Sequence, residues 1–63
     1  MTHTYTMNAT TVECLGGEDA ARLFVLEAMR EIKRAGYSRA ERNGVLRRMI
    51  EWEVERLAGL RSR

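Results

Sequence analysis

Two stretches of the chain carry apolar residues at helical spacing. Between Asp19 and Ala35, Ala21, Phe24, Val25, Ala28, Met29, Ile32 and Ala35 recur at steps of three and four, which places them on one face of an α-helix. Leu23 and Leu26 fall on nearly the opposite side of the same helix. Between Arg39 and Leu60, a second stripe is formed by Val45, Leu46, Met49, Ile50, Leu57 and Leu60, with Trp52 and Val54 at its margins. This stripe approaches half the circumference, more than one neighbouring helix covers. Glu53 and Arg56 project into it. A carboxylate there requires a partner if buried, so the pattern reads as an ion pair between helices or subunits, with Arg42 as a candidate, or as a recognition residue on an exposed surface.

The stretch Ala35-Gly36-Tyr37-Ser38 separates the two helices. Gly36 stands where a helix ends in a left-handed residue, a conformation that costs little without a Cβ. Ser38 is placed as the N-cap of the next helix, and Glu41, three residues on, completes a capping box by reaching back to the Ser38 N–H. Asp19 is the predicted N-cap of the first helix, with Glu18 adding negative charge at its start. Gly44, inside the second helix, marks a weak spot, a kink or a close backbone approach. Upstream, Tyr5–Cys14 is rich in threonine and partly alternating, which reads as a short strand or an arm that orders on a partner. Gly16-Gly17 ends it. The predicted fold is all-α: an antiparallel hairpin of two helices over residues 18–63, preceded over 1–17 by an N-terminal arm or short strand.

Length changes that picture. A chain of 63 residues buries only about 60% of its unfolded surface, so a lone core is marginal. The single cysteine, Cys14, excludes an intrachain disulfide, and Cys14 with His3 falls short of the four ligands of a structural zinc site. Oligomerisation is the remedy that remains. A homodimer packed as a four-helix arrangement is therefore expected, its core drawn from Phe24, Val25, Ala28, Met29, Ile32, Leu46, Met49, Ile50 and Leu57.

Net charge is +2, and Lys33 is the only lysine among eleven basic residues. Acids and bases are interspersed: Glu18 with Arg22, Glu27 with Arg30, Glu31 with Arg34 and Arg47 with Glu51 stand at surface-pair spacings, each worth a few tenths of a kcal/mol. No run reaches the length of a membrane span, and the N-terminus lacks a signal-peptide pattern. With its unpaired cysteine, the protein is expected to be cytoplasmic, with no membrane partner.

No defensible catalytic set is present. The one histidine and one cysteine have no local pattern joining them, and the glycines match no phosphate-cradling fingerprint. No enzyme activity, metal, cofactor or small-molecule substrate is expected. The leading expectation is a small interaction protein that binds a larger protein and regulates or inhibits it, of a size common among phage and plasmid genes. Its partner surface would use Leu23, Leu26, Arg30, Tyr37 and Trp52, since aromatic and arginine side chains anchor interfaces.

The stretch Gly36-Tyr37-Ser38-Arg39-Ala40-Glu41, with the spacing of Phe24, Val25, Ala28 and Ile32 before it, resembles the inter-helix turn of ribbon-helix-helix DNA-binding proteins. The resemblance implies an obligate dimer and a base-reading strand just before the first helix, at about the positions of Gly16–Ala20. It also implies a DNA phosphate anchored at the start of the second helix, with Ser38, Arg39 and Arg42 as the contacts. A dimeric DNA-binding repressor is the alternative function.

Overall fold

Asn8 opens the first helix. Its side-chain oxygen accepts from the Thr11 N–H at 2.8 Å, and the chain turns helical at once. The computed structural model describes residues 7–61, and among them it contains three helices and no strand: α1 (Ala9–Cys14), α2 (Glu18–Arg34) and α3 (Arg39–Arg61). Of the two readings of Tyr5–Cys14, an arm or a short strand, the strand is corrected to a helix over Ala9–Cys14; Tyr5 and Thr6 lie outside the described residues. The physical reason is pairing. A strand needs a neighbour for its backbone groups, and the described chain offers none, whereas a helix satisfies its own.

The glycine pair closes α1 with a Schellman motif. Gly16 has φ 109°, its N–H donates to the Glu13 carbonyl at 3.0 Å, and the Gly17 N–H donates to the Val12 carbonyl at 2.9 Å. Gly17 also starts α2: its carbonyl accepts from the Ala21 N–H at 2.9 Å, so Glu18 and Asp19 occupy the first turn. The predicted N-cap at Asp19 therefore moves to Gly17, which caps by backbone alone. Glu18 and Asp19 at the start of α2, and Lys33 and Arg34 at its end, complement the helix dipole.

Ala21, Ala28 and Ile32 of α2 meet Leu46 and Ile50 of α3, and Leu15, just past α1, completes the buried core. Met7, Val12, Phe24, Val25, Met29, Val45, Met49, Val54 and Leu57 pack half-buried around it. Four residues assigned to a dimer core (Ala28, Ile32, Leu46 and Ile50) are therefore closed within one chain. Phe24, Val25, Met29, Met49 and Leu57 are only half covered. The third wall is α1 with Leu15, which covers surface that a two-helix hairpin leaves open. An Arg61 guanidinium N–H donates to the Cys14 carbonyl at 3.2 Å and ties the end of α3 to the end of α1.

Glu53 finds its partner on its own helix. Arg56 donates to it twice, at 3.2 and 2.7 Å, and this intrahelical pair replaces the predicted inter-helix one. Arg42 instead donates through Nε to the Tyr37 carbonyl at 3.3 Å. Helix α3 runs through Gly44 without a break, and no atom lies near enough to exploit its missing side chain.

Candidate protein-binding surface

Along one side of the α2–α3 seam the two helices leave a trough. Its end near the turn is lined by Glu31, Ile32, Ala35, Tyr37, Val45, Met49 and Trp52. Its other end is lined by Phe24, Glu27, Ala28, Glu31 and Met49. Glu31 and Met49 line both, so the two hollows adjoin along the seam. Helical spacing explains the lining. On α2, Phe24, Glu27, Ala28 and Glu31 fall on adjacent strips of one side; on α3, Val45, Met49 and Trp52 do the same. Tyr37 joins because Gly36, at φ 89°, turns the chain back over the end of α2. Tyr37 stands two residues beyond the C-cap Ala35, where a hydrophobic contact with Ile32 is usual; both line this end of the trough.

Of the predicted partner-binding residues, only Tyr37 and Trp52 line the trough. Trp52 is 63% exposed and Tyr37 43%. Leu23, Leu26 and Arg30 are exposed too, but they share the outer strip of α2 and line neither end of the trough. Residue-type reasoning missed Glu27 and Glu31. The available signal was their one-turn spacing beside Phe24 and Ala28, which places both carboxylates on the edge of the apolar stripe. Their predicted surface pairs with Arg30 and Arg34 do not form, and among the described residues neither carboxylate has a hydrogen-bond or ion-pair partner. Exposed ion pairs gain little in water, so nothing compels them to close. A further groove, between α1 and α3, is lined by Thr11, Ile50, Glu51, Val54 and Glu55.

The start of α3, where the DNA reading places a phosphate, already holds a carboxylate. The Ser38 N–H and its hydroxyl both donate to Glu41 Oε1, each at 2.9 Å. This bears out the Glu41 half of the capping box. The serine hydroxyl, however, turns to the carboxylate, and the Glu41 N–H goes to the Ser38 carbonyl. Arg39 is exposed, and Arg42 is engaged with Tyr37. Gly16 and Gly17, where the resemblance places a base-reading strand, form the turn between α1 and α2.

The backbone and hydroxyl bonds from Ser38 hold the Glu41 carboxyl below its ordinary value of 4.5. A depressed folded-state pKa contributes stability that is present above the unfolded value and is lost as pH falls through the folded one. The melting temperature should therefore fall on acidification below about pH 4.5. Glu41→Gln, which still accepts the Ser38 N–H but does not titrate, should flatten that dependence in thermal melts followed by circular dichroism. Equal acid sensitivity in both proteins would remove Glu41 as its source.

Among the described residues there is no cluster of three or more potential metal ligands, and no helix is long and apolar enough to cross a membrane. The fold and surface thus define a small all-helical protein whose distinguishing feature is an exposed apolar trough. No protein-family model, curated protein or solved structure matches the chain.

Proposed function

We propose that this chain is a small non-enzymatic interaction module that docks on a larger protein and regulates or inhibits it. One observation carries the reading: five large apolar side chains, Leu23, Leu26, Tyr37, Trp52 and Leu60, stand exposed around a core of six buried residues. Scattered exposed apolar residues are ordinary, but an apolar patch that includes aromatics marks an interaction site. Here Trp52 and Tyr37 share one trough with Val45 and Met49. The arrangement supports a protein partner over DNA, because Glu41 places negative charge where a phosphate would sit.

The test is affinity capture with folded variants. Trp52→Glu should abolish retention of a specific partner while helix content is kept, since Trp52 packs against little of its own chain. Leu23→Glu with Leu26→Glu, on the outer strip of α2, asks whether the partner also grips that side. Equal retention by the parent and both variants would sink the reading.

A further inference from the structure

We propose that the α2–α3 trough receives a basic amphipathic helix of the partner. Its apolar side would lie on Phe24, Met49 and Trp52, and its lysine or arginine side chains would reach Glu27 and Glu31. This rests on the interaction-module reading and specifies the chemistry of what is bound.

The argument is charge complementarity. The chain carries net charge +2, yet the ionic side chains lining the trough are Glu27 and Glu31. Those lining the α1–α3 groove are Glu51 and Glu55. No arginine or lysine lines any of these among the described residues. Two of the arginines on the neighbouring strips are engaged, Arg56 with Glu53 and Arg42 with the Tyr37 carbonyl. An overall positive protein therefore presents a locally negative, apolar channel.

The spacing fits a helix. Glu27 and Glu31 are one turn apart, about 6 Å along α2. A helix lying along the trough offers cations at i and i+4 with the same rise. A methionine floor adapts to varied apolar side chains, and an exposed indole and phenol supply rigid contact area.

A second copy of this chain fits less well. Packed face to face, it would bring its own Glu27 and Glu31 into the same interface. Anionic partners, whether nucleic acid or lipid headgroups, meet the same carboxylates.

Trp52 is the only tryptophan, and its exposure makes its emission a direct reporter. The experiment titrates the full chain with a synthetic amphipathic helix of leucine and lysine, and separately with its leucine–glutamate counterpart. The lysine peptide should shift Trp52 emission to the blue and saturate at one peptide per chain, and the glutamate peptide should leave it unchanged. Glu27→Gln with Glu31→Gln, both exposed and fold-neutral, should weaken the lysine peptide about tenfold at low salt. The proposal is overturned by equal responses to the two peptides, by no response to either, or by unchanged affinity of the double variant. It is also overturned if, without peptide, emission is already blue and moves red on dilution as the sedimenting mass halves, because a second copy then fills the trough. Failure here with the partner still captured, and lost in Trp52→Glu, would refute the basic helix alone and leave the module reading standing.

Discussion

Leu46→Ala should lower stability by about 2–5 kcal/mol, the usual range for emptying a buried leucine site. Leu46 is 1% exposed and is, with Ile32 and Ile50, among the largest fully buried side chains. At about 0.05–0.15 kcal/mol per residue, a chain of this length has only about 3–9 kcal/mol in total, and small chains sit toward the lower end. Two of the six core residues are alanines, so few large neighbours can move in to refill the space. The variant should show a sharply reduced urea midpoint, and near the top of the range it should be largely unfolded at room temperature. Leu23→Ala is the matched control: the same chemistry at an exposed site should change stability by less than about 0.5 kcal/mol. A small effect at Leu46 would mean that the core is held chiefly by something outside this chain, such as a subunit interface.

Gly17→Ala should cost about 1–3 kcal/mol although no contact is lost. Gly17 lies at φ 108° and ψ 178°, a region essentially closed to residues with a Cβ. An added methyl would meet nothing within 4 Å, so the penalty is backbone strain alone. The strain can relax locally, by releasing α1 from the hairpin or fraying the first turn of α2. Amide exchange should therefore accelerate at Leu15 and Ala21, while Ile32 and Ile50 keep most of their protection. Gly16→Ala should act similarly, with added crowding, because its Cβ would come within 3.2 Å of the Ala20 Cβ. Unchanged stability and exchange in Gly17→Ala would show that the turn accepts another path.

The features legible in the sequence are periodic or local. The extents of α2 and α3, the stop at Gly36 and the Glu41–Ser38 bond follow from spacings of three and four and from one glycine. First α1 was obscured by Thr10, Thr11 and Val12, whose β-branching speaks for a strand. Its signals were present: Asn8 as N-cap and a glycine pair just past Leu15. A six-residue helix has too few turns for periodicity to outweigh propensity. What decides between helix and strand at that length is tertiary: whether a second strand exists to pair with, and whether Val12 and Leu15 find a core.

The trough divides in the same way. Its residue types were visible, and Tyr37 and Trp52 stood out as interface anchors. Their grouping was not, since Leu23, Leu26 and Arg30 looked equally eligible and lie on the outer strip of α2. By spacing, Glu27 and Glu31 are halves of surface ion pairs; the rotation of α2 against α3 puts both on the wall of the channel.

By itself the sequence determined two long helices, the turn between them and which side of each is apolar, because those follow from interactions within a few residues. Only the tertiary structure decided that α1 closes the core from one side and that the opposite seam stays open as an acidic, apolar trough. These depend on how the helices are rotated and stacked. That packing is set by the summed burial of many side chains far apart in the chain, with no local pattern to announce it.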